Sequence, residues 1–513
     1  MQFRPRMCSY SLRWFYSKGA LLVLIWTILV MLAAITLMML FFDSFLTHEK
    51  HVWNLILFLP LCSYLVFAPL SGWLADARFG SYKLIRVGFV LLFVSSICYC
   101  VLGVVVSEGV PFNSVFVNVL VILSSTVTGI AVSVCLVTSI QLGLDQMPDA
   151  SSSNITSFIA WFISCIWFGL WFSDSLFSII RACIDSNARS MLMQFWSLVP
   201  ALCMAVVLIL DFVVAPKLII IEPKSPQSLK TIYQVLKFAA KHKAPLNRSA
   251  LTYWEEDIPS RMDLAKSRYG GPFTTEQVED VKTFFKLFIV TLPLWTMNIS
   301  LTQIDSVFNA TAVDLFSSVC LNQVAYYFTY HDMWCLLICI VLYEFTIYPF
   351  IKHYLPSILK RIGIVLFCVV LVNAIFLTCT ILVYCGVVNY NSVFSYSNRI
   401  CIYLSVSALF TSSLELVCAQ APYSMRGLFS GYVVFVISII MPGSVALTLV
   451  SNTICDRDCS NLICFSVKLA SSLVGFISHC FLARWYKRRV RDDGFVAQRI
   501  VEEVYDRYLS SPS

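Results

Sequence analysis

From Ala20 to Phe42 the chain reads ALLVLIWTILVMLAAITLMMLFF, a run without a charged side chain. A helix needs about 20 such residues to cross the hydrocarbon core of a bilayer, because lipid satisfies no backbone polar group. The run is continuous rather than alternating, so it reads as a helix and not as a barrel strand. Arg4, Arg6, Arg13 and Lys18 precede it as they would precede a signal peptide. It is too long for a signal core and lacks a small-residue cleavage site, so it is expected to be retained.

Similar runs recur near 53–75, 83–106, 112–138, 155–180 and 191–215, then near 283–304, 333–351, 361–386, 400–420, 427–450 and 461–485. Composition agrees, with 59% of the 513 residues hydrophobic and 13% charged, against about half and about a quarter in soluble domains. The expectation is an all-α membrane protein of about 12 transmembrane helices. Lys and Arg collect after even-numbered spans: Arg78, Lys83 and Arg86; Lys352, Lys360 and Arg361; Arg426; Lys487, Arg488, Arg489 and Arg491. Cytoplasmic loops carry that excess, which places both termini in the cytoplasm. The net charge of +7 is explained by this bias and by anionic lipid, with no nucleic acid as partner.

The interval from 216 to 282 divides the chain into an N-terminal half (1–215), a linker, a C-terminal half (283–486) and a tail (487–513). Pro216, Pro223, Pro226, Pro245, Pro259, Gly270 and Gly271 predict a soluble, partly flexible linker, without a nucleotide or metal motif. Two six-helix halves joined by a cytoplasmic linker resemble the major facilitator superfamily, which implies a solute site between the halves near mid-membrane. Most of the 20 cysteines lie in apolar spans as small hydrophobes. Cys455, Cys459 and Cys464 sit in or near the loop before the last span, where a disulfide is possible and, without a nearby His, zinc is not expected. Of three sequons, Asn309 falls on the exoplasmic side and is a glycan candidate, whereas Asn154 and Asn247 face the cytoplasm.

After the second span comes Gly72-Trp73-Leu74-Ala75-Asp76-Ala77-Arg78-Phe79-Gly80-Ser81-Tyr82-Lys83. A tight reversal needs glycine, and an acid among cations can form a contact between halves in one conformation and break it in another. Later come Leu414-Glu415-Leu416-Val417-Cys418-Ala419-Gln420-Ala421-Pro422-Tyr423-Ser424-Met425-Arg426-Gly427, and Tyr343-Glu344-Phe345-Thr346-Ile347-Tyr348-Pro349. Together with Tyr269-Gly270-Gly271-Pro272-Phe273 and Tyr486-Lys487-Arg488-Arg489, these resemble the proton-coupled oligopeptide transporter family from about 55 to 509, nearer its peptide/histidine branch. The resemblance implies transport of small peptides or amino-acid-like solutes, coupled to protons, with Glu415 on the substrate amino terminus. It also implies gating roles for Gly72, Asp76, Arg78, Gly80, Lys83, Asp145, Gln146, Pro422 and Arg426.

Charges within a bilayer are functional candidates by default. Glu415 lies deep in span ten, where a carboxylate facing a cavity pairs with a solute ammonium or serves as a structural ion pair. Glu344, at the inner end of span eight, and His479, in span twelve, are possible proton sites, each with a plain structural alternative. Lys468 is expected to snorkel, and Asp305 and Asp174 stand at outer helix ends.

Two absences count. The family's Glu-x-x-Glu-Arg of helix one falls where this chain reads Val30-Met31-Leu32-Ala33-Ala34-Ile35-Thr36-Leu37, and its helix-four Lys falls at Leu136. The first six spans then offer no interior cation for a solute carboxylate, although Ser133, Thr138 and Ser139 could partly substitute. Three readings follow: an alternating-access carrier of peptides or amino-acid-like solutes, a transport-inactive scaffold or sensor, or a facilitator of a neutral or cationic solute. The loops carry no catalytic set, metal spacing or phosphate loop, so no enzyme, cofactor or metal is expected. The plasma membrane and the endosomal or lysosomal membrane fit equally, and nothing in the sequence specifies an oligomeric state.

Overall fold

The apolar runs become long helices because in lipid a backbone can satisfy its polar groups only internally. The computed structural model describes residues 17–45, 50–107, 115–147, 152–183, 189–214, 216, 218–221, 228–242, 260–300, 356–387, 392–439 and 457–486. Its helices are α1 (Lys18–Phe45), α2 (Lys50–Leu74), α3 (Ser81–Ser107), α4 (Val115–Asp145), α5 (Ser152–Cys183), α6 (Arg189–Val214), α7 (Ser228–Lys241), α8 (Thr275–Thr291), α9 (Pro293–Ser300), α10 (Ile358–Tyr384), α11 (Ser392–Gln420), α12 (Arg426–Ser438) and α13 (Arg457–Trp485). Seven are long and apolar enough to cross a membrane. No strand occurs among the described residues, only one isolated bridge between Lys266 and Phe273.

The predicted span near 333–351 lies outside the described residues, and the other eleven of the twelve fall on helices in whole or in part. Helix α4 runs past the predicted end at 138 to Asp145. The hydroxyls of Thr138 and Ser139 donate to the carbonyls of Val134 and Cys135, both at 2.6 Å, so the polar run does not interrupt the helix. Helix α8 starts inside the expected linker because Thr274 and Gln277 form a reciprocal capping box. It gives way to α9 at Pro293, which lacks the N–H to continue the ladder.

Helices α1 to α6 form one bundle, with α1 against α4, α5 and α6 and α3 against α4 and α6. Trp26 of α1, fully buried, meets Phe89 of α3 edge-on at 5.2 Å. In the second bundle α10 packs on α11 and α13, and α9 on α12 and α13. Phe429, Tyr432 and Phe435 of α12 pack, tilted or edge-on, against Phe284, Phe288 and Trp295. The bundles meet where α2 packs on α12 and α5 on α11, at the end from which the linker leaves.

Two described stretches of the linker, 228–242 and 260–282, pack against each other. Helix α7 buries Ile232, Val235 and Ala239, and Phe238 meets Phe273 edge-on at 6.4 Å. Lys266 and Lys282 reach Asp263, each at 2.5 Å, and both also reach Glu279. Burial alone would push the Asp263 carboxyl up, but hydrogen bonds from Lys266, Lys282 and Ser260 hold it well below the usual carboxylate range. Glu279 is lowered too, its Lys partners outweighing its own burial.

A depressed folded pKa stabilises above the unfolded value and is lost as pH falls through the folded one. The docked linker is therefore expected to hold at neutral pH and to loosen below about pH 4. Asp263→Ala should remove about 1–3 kcal/mol, read as at least tenfold faster tryptic cleavage at Lys266 and Lys282 at pH 7. Unchanged cleavage would show that the cluster does not hold the segment.

Candidate functional site

Asp76 stands in a π-helical turn, Ala75–Phe79, that joins α2 to α3 and ends at Gly80, whose φ of 75° favours glycine. Its carboxylate crosses to the other half. It accepts from the backbone N–H groups of Gly427 at 3.1 Å and Leu428 at 2.9 Å, in the first turn of α12, and from Gln141 Nε2 at 2.8 Å. A helix N-terminus offers unpaired N–H donors and a favourable dipole to an acid.

That reach depends on backbone contact. A Cβ on Gly72 would collide with the Gly427 carbonyl, one on Gly427 with Gln141, and one on Gly431 with the Ala68 carbonyl. Farther along the same two helices Ser438 donates to Tyr64 at 3.2 Å. Arg426 acts electrostatically on both Asp76 and Asp145, and Pro422 starts the turn Tyr423–Met425 between α11 and α12.

A second crossing lies on α5 and α11. Glu415 Oε1 accepts from Thr156 of α5 at 2.9 Å and from Arg361 Nη2, in the first turn of α10, at 2.6 Å. The Glu415 side chain is 10% exposed and that of Arg361 20%. Glu415 thus joins a cation from its own half to a hydroxyl from the other.

The remaining candidates distribute unevenly. Arg78 and Lys83 are exposed. Asp145 accepts from Ser81 at 3.0 Å. Gln146 pairs with both backbone groups of Ile219, at 2.9 and 3.0 Å, and its carbonyl accepts from Ser17, so it ties α4 to the linker and to α1. His479 contacts the Leu359 carbonyl at 3.0 Å and holds α13 to α10. Lys468 does not snorkel as expected: it is 1% exposed, with its Nζ 5.1 Å from the Phe465 ring centroid, because Phe465 and Phe376 stack over this part of α13. Cys464 is a buried free thiol. Glu344, Asp305, Asn309 and Cys455, and the side chains of Cys459 and Asp174, lie outside the described residues.

Where helix one would carry an acid pair, Val30, Met31, Ala33, Ala34 and Leu37 are buried packing. Ser133, Thr138 and Ser139 donate to carbonyls of their own helix, so they do not replace the missing cation.

Sequence reasoning missed the role of Arg361, counted among the cations after span eight although it opens the span expected at 361–386. It also missed Asp211, a carboxylate inside α6 that takes Arg86 at 2.7 Å and the Tyr82 hydroxyl at 3.0 Å. The usable signal was an ionisable residue a few positions inside each span end.

A family profile described as PTR2, POT family, matches residues 141–455, which include Thr156, Arg361 and Glu415. The chain belongs to the POT family. The structure of an auto-inhibited POT family peptide transporter is 13% identical to it, over 93% of this chain and 98% of its own, with a TM-score of 0.58. That of the major facilitator superfamily proton:xylose symporter XylE is 13% identical over 93% and 97%, at 0.57. A POT family transporter in complex with 5-aminolevulinic acid is 12% identical over 90% and 96%, at 0.56. At such identities the likeness is one of fold, the major facilitator fold. This POT chain is a multi-pass membrane protein of a transporter family.

Burial pushes the Asp76 carboxyl up to about 7, although Leu428, Gln141, Gly427 and Arg426 all pull the other way. A raised folded pKa stabilises fully below the unfolded value and loses its contribution as pH rises through about 7. The α2–α12 contact should therefore loosen as pH rises from about 4 to about 7 and change little above that. Asp76→Ala should cost it about 1–3 kcal/mol, seen as at least tenfold faster hydrogen exchange at the Gly427 and Leu428 amides. Equal exchange in the variant would mean that Asp76 does not hold the halves together.

Proposed function

We propose that this POT chain is an alternating-access carrier of amino-acid-like solutes or small peptides, with both termini cytoplasmic and the linker-side contacts as its cytoplasmic gate. The observation that supports the reading is the position of Glu415: an enclosed carboxylate on α11 that touches Thr156 of the opposite half and Arg361 of its own. A buried carboxylate needs a cation, and a solute ammonium can take the place of Arg361. Moving Thr156 away from Glu415 then couples solute binding to separation of the halves. The POT structure that holds 5-aminolevulinic acid supports a small amine-bearing solute. The role is transport rather than catalysis. Asp76, Gly72, Gly427 and Arg426 keep the gate closed, and opening has to break the bonds from Gly427 and Leu428 as well as that from Thr156.

The family resemblance implies proton coupling. Two features favour flux without it: the helix-one stretch is apolar packing, and Arg361 already neutralises Glu415. Uptake of labelled histidine and of a labelled dipeptide into proteoliposomes, with and without an inward proton gradient, tests both points. The expected result is flux that changes less than about twofold when the outside is acidified by about two pH units, and that falls at least tenfold in Glu415→Gln of normal stability. Accumulation that requires the gradient would establish coupling and reject facilitation. Unchanged flux in Glu415→Gln would remove Glu415 from the solute site, and no flux from folded protein would leave a scaffold or sensor as the reading.

A further inference from the structure

Arg361 and Glu415 do not saturate each other. A guanidinium meets a carboxylate best through two parallel hydrogen bonds, yet this pair uses one, Nη2 to Oε1 at 2.6 Å. Arg361 Nε and Glu415 Oε2 are both buried and carry no hydrogen bond. One cationic donor and one anionic acceptor therefore stand unfilled on a pair of side chains that are 20% and 10% exposed. Buried ionic groups are normally hydrogen-bonded throughout, so a pair of empty valences of opposite sign marks a place for a ligand that carries both charges.

Among the described residues Arg361 is the cation in direct contact with Glu415. In the N-terminal half Arg86 is held by Asp211 at 2.7 Å, and the buried hydroxyls of α4 point back to their own helix. The backbone under Arg361 is fixed. Its N–H bonds Ser357 at 3.0 Å, and the neighbouring Leu359 carbonyl meets His479 of α13 at 3.0 Å. Its reach toward Glu415 is thus a matter of side-chain rotamer alone.

We propose that Arg361 is the solute-carboxylate receptor of this carrier, and that Arg361 with Glu415 selects α-zwitterions, solutes whose ammonium and carboxylate sit on one carbon. The proposal rests on the Glu415 reading above and names its substrate class. An internal ion pair opens at low cost only to something that pairs both members. A bare amine on Glu415 strands Arg361, and a bare carboxylate on Arg361 strands Glu415. A zwitterion converts one internal pair into two pairs with the ligand. Because the two protein charges touch, a solute with adjacent charges replaces their contact with the smallest displacement of either side chain. A dipeptide holds its terminal charges farther apart by about one residue of chain, roughly 3.5 Å, and has to push Arg361 away from Glu415.

Competition against labelled histidine uptake into proteoliposomes of the full chain tests this, with histidine, histamine, imidazolepropionate and glycylhistidine as competitors. In the wild type, histamine, imidazolepropionate and glycylhistidine should each be at least tenfold weaker than histidine. In Arg361→Gln histidine should weaken at least tenfold and histamine should match it, since no cation is left to strand. Arg361→Lys keeps the charge with one donor position, and should retain the order of competitors with a loss of a few-fold. It also serves if Arg361→Gln does not fold. An unchanged order of competitors in a folded Arg361→Gln, or histamine equal to histidine in the wild type, overturns the role of Arg361 while leaving the Glu415 reading in place. Dipeptide flux with no histidine competition overturns the α-zwitterion class alone. No flux and no competition from folded wild type overturns both.

Discussion

Contact between the halves rests on the backbone-to-backbone approach of α2 and α12. Gly72, Gly427 and Gly431 bring the two helices close enough that any side chain at these positions would meet a carbonyl or an amide. Only at that separation can Asp76 reach the first N–H groups of α12. The interaction is strong because it is local: donors that a helix cannot satisfy by itself meet an acid at the positive end of its dipole. It is reversible for the same reason, since separated helices return those groups to water at their membrane-surface ends. A greasy interface of equal area would lack that exchange, because lipid tails compete for it on equal terms.

Three carboxylates inside or beside the bundle show three answers to the cost of a charge in a low-dielectric place. Asp76 uses backbone donors of the opposite half and an amide of its own. Asp211 uses an arginine and a tyrosine of its own half and joins α6 to α3. Glu415 uses one arginine of its own half and one hydroxyl of the other, and keeps an oxygen unfilled. The first two are complete, the first as a contact between halves and the second as structure within one. The third is incomplete and shared between halves, which is the condition a solute site has to meet.

The spans were legible because hydropathy acts through a few neighbouring residues, and Asp76 stood out as an acid that could bridge the halves. Gly72 was read as part of a tight reversal, and its close approach to Gly427 was not legible. Tertiary partners were not legible. Arg361 lies next to Lys360 at a span boundary, and the loop reading was equally good on sequence; only the rotation of α10 against α11 turns that side chain inward. Lys468 failed for a related reason: the distance of a lysine from a span end says nothing about whether aromatic rings close over it. In the linker, the packing of the apolar face of α7 and the charge cluster of 263–282 was not legible from its prolines and glycines.

A carrier of this fold has to cross its cycle twice, once loaded and once empty, and on the empty crossing Glu415 has no solute ammonium. An unpaired carboxylate enclosed between closing halves is penalised by several kcal/mol. Protonation is one way to remove that penalty, and it makes the return step depend on protons. A tethered cation is another. On the reading proposed above, Arg361, 2.6 Å away in the first turn of α10, supplies the neutralisation from inside the protein, and the empty carrier closes without borrowing a proton. The packed, uncharged stretch of helix one accords with that reading, since a counter-ion for Glu415 is already built in.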